Sequence, residues 1–338
     1  MKKKIVTLKV KSFKYSLLVI DGFLGSGKTL IAPIISTYQN SQNQSISYDF
    51  ENVIIFNYLK KVDNKTASVF LKLITEENLF NYEIGRKLNL REFDHTGPKY
   101  NPKINEDLKK IKTDNEKKVL KKINHQNKVL NLVSHKTFLN YEILKKTYNN
   151  NFLLLICVRH PVFLFRHYFN FYKNLKSTPK DFTVNIMHKK IKLPWFYKEI
   201  LNKTSSRLGD NLINLLFFLQ KKIKLLKNEK KIKIINFEEF VVNPKKFLKK
   251  IEKELSLKKN QTLLTKILRD SGIPRKKINY GITHVDYALK KTEPKNKQIY
   301  LRELKFIKKN ISKKSQKLLS KLIKNYNSEW PSLFKYYE

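Results

Sequence analysis

The sequence predicts an α/β protein with a central parallel sheet flanked by helices, and three observations carry that reading. Phe152–Val158 is an apolar run with no polar alternation, the pattern of a strand buried on both faces. Other short runs of strand length are separated by longer stretches of helical periodicity, which argues for crossover connections and parallel strands. The third observation is the octapeptide Gly22–Thr29, which holds three of the chain's eight glycines between a strand and a helix. At 338 residues the chain is long enough for one large domain with a sizeable core. A single domain over 1–338 is expected, with a lysine-rich helical insertion near 103–127 and a helical C-terminal part at 297–338.

The elements follow in order. Ser16–Ile20 is the first strand, ending at Asp21-Gly22, and Thr29–Tyr38 is a helix with Leu30, Ile31, Ile34 and Ile35 on one stripe. Helix-like stretches of mixed polarity fill the span from Phe50 to Leu88. Lys103–Asn127 has only sparse apolar points among Lys, Asn, Asp and Glu, and reads as an exposed helical excursion or mobile flap outside the core. Leu130–Ser134 is a second strand and Leu139–Tyr148 a helix; the buried strand Phe152–Val158 then leads into a helix at Val162–Asn174. Asn211–Leu226 is strongly apolar and helical, Lys233–Phe237 a fourth strand, and Pro244–Leu255 the next helix. Tyr300–Tyr326 gives two lysine-rich helices broken near Asn310-Ile311-Ser312.

Composition narrows the function classes. Hydrophobic residues at 41% and aromatics at 12% exclude a disordered polymer. A single cysteine excludes a disulfide framework and a Cys-rich zinc site. No apolar run is long enough to cross a bilayer, and the lysines at positions 2–4 are not followed by a signal-type segment, so a soluble, cytoplasmic protein is expected. With 71 Lys+Arg against 28 Asp+Glu the formal charge is +43, a field that attracts polyanions and steers anionic ligands. Nucleic acid, an anionic glycan, a membrane surface and a phosphate-bearing cofactor all suit that sign. Because the lysines are spread along the whole chain, nucleic acid is expected only through non-specific charge.

Gly22-Phe23-Leu24-Gly25-Ser26-Gly27-Lys28-Thr29 satisfies G-x-x-x-x-G-K-[ST] with a strand before it and a helix after it. Glycines let the backbone curl with its N–H groups inward, the helix N-terminus adds partial positive charge, and Lys28 adds a full one. This is a phosphate-binding loop on its residues. A Mg²⁺-dependent kinase or NTPase also needs an acidic residue at the end of a neighbouring strand. Phe152–Val158 runs into Arg159-His160-Pro161 instead, while the strand at 233–237 runs into Glu238-Glu239, which keeps that alternative open.

Three segments resemble the sulfotransferase family, which uses 3′-phosphoadenosine 5′-phosphosulfate. Gly22–Thr29 is similar to its 5′-phosphosulfate loop. Phe152–Asn174 is similar to its 3′-phosphate motif, with an apolar strand, Arg-x-Pro at 159–161, and an aromatic-rich helix. Ile234–Pro244 is similar to its strand followed by Tyr-Glu-Asp-Leu-Val-x-Asp-Pro. The trio stands in the family's order over residues 16 to 257. The resemblance implies a phosphate-loop fold of sulfotransferase type. It also implies in-line transfer of a sulfuryl group to a hydroxyl or amine, with adenosine 3′,5′-bisphosphate as product and no metal.

On that basis Leu24, Gly25, Ser26, Gly27, Lys28 and Thr29 would hold the 5′-phosphosulfate, and Lys28 would stabilise the leaving phosphate. Arg159 would bind the 3′-phosphate, with His167 in the place of the family's serine. Two departures stand out: Gly25 occupies the position where the family usually carries a cation, and Lys28 replaces its threonine. His135, in Val133-Ser134-His135-Lys136-Thr137 and 24 positions before Arg159, is the first choice as general base. Glu51 is the rival. The acceptor would be a small molecule or glycan, the basic surface pointing to an anionic one. A Mg²⁺-dependent phosphate-loop kinase or NTPase and a non-catalytic polyanion-binding protein remain the alternatives. Arg275-Lys276-Lys277 is a further basic run that could close over the 3′-phosphate. Cys157, mid-strand, is expected to be buried and inert.

Overall fold

The structure is a computed structural model that describes residues 11–92, 94–112, 115–175, 182–188, 190–275 and 296–331. It is an α/β fold with a central parallel sheet flanked by helices. In chain order come β1 (Tyr15–Gly22), α1 (Lys28–Ser36), β2 (Ser45–Ile46), α2 (Tyr48–Tyr58) and α3 (Asn64–Glu83). Next are α4 (Ile104–Lys110), α5 (Glu116–Gln126), β3 (Lys128–Val133), α6 (Tyr141–Tyr148) and β4 (Phe152–Val158). After α7 (Pro161–Leu175), β5 (Asn185–His188), β6 (Ile191–Pro194) and α8 (Leu208–Leu226) follow β7 (Ile232–Asn236) and α9 (Phe237–Val242). The chain continues through α10 (Pro244–Leu255), α11 (Gln261–Asp270), α12 (Asn296–Asn310) and α13 (Lys313–Glu329).

Two compact units result, one within residues 1–21, 28–155 and 249–267, the other within 22–27, 156–248 and 268–338. In the first unit the strands run in the order β2-β3-β1-β4, with β3 parallel to both β1 and β2. Tyr15 is opposite Lys128 and Ile20 opposite Val133. Leu17, Leu18, Val19 and Ile20 of β1 and Leu154 and Leu155 of β4 are fully buried, as apolar strands covered on both faces must be. Strand β4 passes on into the second unit, where its neighbour is β7. There Ile156, Cys157, Leu212, Leu215 and Leu219 form part of the core, so the Cys157 thiol is buried and outside any disulfide.

Three local readings need correction. The segment from 103 to 127 is not an excursion outside the core. It forms α4 and α5, and Lys103, Asp107, Val119 and Ile123 are buried. The Lys103 ammonium donates to the carbonyls of Tyr38, Gln39 and Ser41, and so satisfies the chain leaving α1. Asp107 accepts from the Tyr82 hydroxyl and the Asn101 amide. Polar side chains here serve as core contacts, which a hydropathy pattern does not reveal. The helix expected from Leu139 begins at Tyr141, after a 3₁₀ turn at Thr137–Asn140 that Asp21 holds by its backbone. The antiparallel pair β5–β6 consists of two four-residue strands, too short for their sequence pattern to mark them.

Among the described residues no helix is long and apolar enough to cross a membrane.

Candidate functional site

In the second unit the loop Gly22–Gly27 leaves β1 with positive φ at Gly22, Gly25 and Gly27, +130°, +78° and +90°. Side chains would not fit there. A Cβ on Gly22 would lie 2.1 Å from the Cys157 carbonyl oxygen, and one on Gly27 would lie 2.4 Å from the Phe237 ring. The loop is also tied down internally. Phe23 N–H donates to Cys157 O at 3.3 Å, Leu24 N–H to the Tyr168 hydroxyl at 2.9 Å, and Ser26 N–H and Oγ both donate to Phe23 O. The amide of Leu24 and the amide and hydroxyl of Ser26 thus hold the loop's shape. Lys28 is the first residue of α1, and it and Thr29 open that helix.

Arg159 follows β4, where the strand's carboxyl end places it beside the loop. Its guanidinium donates to Gly25 O at 3.0 Å and lies 4.4 Å from the centre of the Phe237 ring. Arg275 approaches the same ring at 5.9 Å, and burial together with the charge of Arg159 lowers its own pKa to about 10. Two cations thus share one aromatic ring next to a glycine loop, an arrangement that a nearby anion would stabilise. His167 stands on α7 against Gly25, its ring 3.0 Å from where a Cβ would sit. The second unit therefore brings together Gly25, Gly27, Arg159, His167 and Arg275. Of the run 275–277, Lys276 and Lys277 lie outside the described residues.

Glu238, weighed as a metal carboxylate, is fully buried in a different role. Its Oε1 accepts from His160 N–H at 2.9 Å and its Oε2 from the Tyr326 hydroxyl at 2.7 Å. Glu239 pairs with Lys246. Among the described residues no group of three or more His, Cys, Asp or Glu is placed to hold a metal ion.

The first unit holds the candidates for proton transfer. Asp21, fully buried at the end of β1, accepts from Lys136 N–H at 2.6 Å, Thr137 Oγ1 at 2.7 Å and Phe138 N–H at 2.8 Å. That clamp fixes the turn after β3, in which Lys136 takes a left-handed conformation at φ +66°. His135 is thereby presented with its Nδ1 2.9 Å from Oε1 of Glu51. Glu51 is buried in the first turn of α2, whose cap is Ser47. Histidine and glutamate, rivals in the sequence, are partners here.

Lys136 is the residue that sequence reasoning missed. It is buried, and burial first, then the charge of Lys28, push its ammonium down to about 7, against the opposing pull of Asp21 and Glu51. The charge of Lys28, itself buried, thus opposes protonation of Lys136, an effect that an anionic ligand would offset. The available signal was the dipeptide Lys136-Thr137 in the turn two residues after a strand, which hydropathy alone does not distinguish from the chain's many other lysines.

No protein-family model matches the sequence, and no curated protein does. The chain is similar in structure to several sulfotransferases. It covers 96% of its length and 89% of a mouse sulfotransferase, SULT7A1, complexed with PAP, at 13% identity and a TM-score of 0.40. It covers 77% of its length and 80% of the sulfotransferase domain of the Synechococcus PCC 7002 olefin synthase, at 11% identity and a TM-score of 0.39. For sulfotransferase STF9 of Mycobacterium avium the shares are 76% and 67%, at 10% identity and a TM-score of 0.38. These overlays are loose, and the functional reading rests on this chain's own residues.

Proposed function

We propose that the chain is a sulfotransferase that moves a sulfuryl group from 3′-phosphoadenosine 5′-phosphosulfate to a hydroxyl or amine acceptor. The observation that carries this is the pair Arg159 and Arg275, both close to the Phe237 ring, beside a glycine loop that a Cβ would fill. Two cations and a curled backbone suit a ligand with a phosphate beyond those of the loop. Arg159, Arg275 and His167 would take the 3′-phosphate. The amides of Gly25, Gly27, Lys28 and Thr29, with the Lys28 ammonium, would take the 5′-phosphosulfate.

In the transfer, the acceptor oxygen or nitrogen forms a bond to sulfur as the bond from sulfur to the bridging oxygen breaks. The electron pair leaves with the 5′-phosphate, giving adenosine 3′,5′-bisphosphate. Lys28 and Lys136 stabilise the charge that develops on that leaving group. His135 accepts the acceptor's proton at Nε2, while Glu51 holds Nδ1 and stabilises the imidazolium. The acceptor is a small molecule or glycan, with an anionic one favoured by the net charge of +43.

Calorimetric titration with adenosine 3′,5′-bisphosphate, beside ATP and ADP with and without Mg²⁺, tests the reading. Metal-independent binding of the bisphosphate, weakened more than tenfold by Arg159→Ala, is expected. Preference for ATP with Mg²⁺ would make Lys28 a kinase-type lysine and overturn the proposal.

A further inference from the structure

The second unit contains a cavity that the proposed transfer does not use. It measures about 430 Å³ and is lined by residues of α8 and α13, together with Val158 and Ile234. Pockets that bury small organic ligands occupy roughly 300–1,000 Å³. Its walls are mostly apolar and carry four rings, those of Phe23, Phe217, Tyr326 and Trp330. Tyr326 and Trp330 pack on each other with ring centres 4.6 Å apart. A flat aromatic body matches such walls better than a flexible chain does, because ring faces and edges offer offset and edge-to-face packing.

The rim has one dominant sign. Lys221 and Lys224, exposed on successive turns of α8, and Lys321, exposed on α13, border the opening. Among the described wall residues the carboxylate is Glu329, and it is already paired with Lys227. An apolar aromatic interior under a lysine rim is complementary to a ligand with a ring system at one end and an anionic group at the other.

We propose that this cavity binds a small aromatic anion, a fused or substituted ring bearing a carboxylate, at a site separate from the donor site. The ring system enters between Phe217 and Trp330, and the carboxylate meets Lys221, Lys224 and Lys321. The inference does not depend on sulfuryl transfer. Because Arg159 and Phe23 also border the cavity, the two sites must be told apart by experiment.

The test is calorimetric and fluorescence titration of the full chain with 2-naphthoate and with its neutral amide. One-to-one binding of the carboxylate, at least tenfold tighter than the amide, is expected. The accompanying change in tryptophan emission should vanish in Trp330→Phe, since the other tryptophan, Trp195, is buried elsewhere. The double variant Lys221→Glu, Lys224→Glu should weaken naphthoate about tenfold, whereas Lys117→Glu on α5 should leave it unchanged. Leu216→Trp, which fills the cavity, should abolish binding with the thermal transition retained; should it not fold, the lysine variants decide alone. Equal affinity for acid and amide, or equal weakening by Lys117→Glu, would reduce the effect to the protein's general charge and overturn the site. One-for-one displacement by adenosine 3′,5′-bisphosphate would make the cavity part of the donor site and overturn its independence.

Discussion

Nδ1 of His135 lies 2.9 Å from Oε1 of Glu51, with the carboxylate buried and the imidazole part-exposed. A buried acceptor on Nδ1 selects the tautomer whose Nε2 is basic, and it stabilises the imidazolium formed when Nε2 takes a proton. If His135 is the base, His135→Ala should lower kcat by roughly 10²–10⁴-fold. Glu51→Gln, which retains a hydrogen-bonding oxygen without the charge, should cost much less. Neither change should move the dissociation constant of adenosine 3′,5′-bisphosphate. Steady-state kinetics with calorimetry provides the check, and a larger loss in Glu51→Gln than in His135→Ala would transfer the role of base to Glu51.

Lys136 makes stability depend on pH in a defined direction. Its pKa falls from the ordinary 10.5 to about 7 in the folded chain. Between those values the unfolded chain binds one more proton than the folded one, so stability rises with pH across that window. Below about 7 both states are protonated and the full cost of a buried charge beside Lys28 is present. Lys103, lowered to about 8, adds a slope of the same sign. Urea midpoints should therefore increase from pH 7 to pH 9 in the wild type. In Lys136→Met the increase should be smaller and the midpoint at pH 7 higher. An identical slope in the variant would show that Lys136 is not the titrating group.

Asp21 holds the turn that presents His135 and Lys136, through three donors within 2.6–2.8 Å. Replacing it by alanine strips two amides and a hydroxyl of their buried acceptor, a loss of roughly 3–5 kcal/mol. Asp21→Asn keeps one acceptor oxygen and should lose less. Urea unfolding followed by tryptophan emission measures both. A stability loss under ~1 kcal/mol for Asp21→Ala would mean that solvent replaces the carboxylate and the turn is not held by it.

Much of the fold was legible because its signals are local. Phe152–Val158 announces itself by unbroken apolarity, Gly22–Thr29 by three glycines and a lysine, and Pro244–Leu255 by its leading proline and apolar stripe. The positions of the glycine loop and of Arg159 came from the same signals, since glycine geometry and the carboxyl end of a buried strand are written in order along the chain. What escaped depends on contacts distant in sequence. Lys103 and Asp107 read as solvent-facing because their partners, Tyr38 and Tyr82, lie 65 and 25 residues away. The pairing of Glu51 with His135 joins residues 84 apart, and the tertiary fold alone turns two rival bases into one couple. Lys136 was hidden by composition, because one lysine among so many carries no signal until burial singles it out.

Arg275 is the basic residue whose setting the fold most changes, from one member of a common run to a neighbour of Arg159 at the Phe237 ring. Like charges sharing a ring raise the energy of the ligand-free protein, and a nearby anion lowers it. Arg275→Gln should therefore leave the ligand-free protein as stable as the wild type, or more so. The same change should weaken adenosine 3′,5′-bisphosphate about tenfold or more, as loss of a charged hydrogen bond to phosphate does. Affinity for adenosine 5′-phosphosulfate, which lacks the 3′-phosphate, should barely change. The contrast between these two ligands separates a 3′-phosphate site from general electrostatic attraction by a chain of charge +43. Equal weakening of both ligands would place Arg275 in the overall field, and unchanged binding of both would remove it from the donor site.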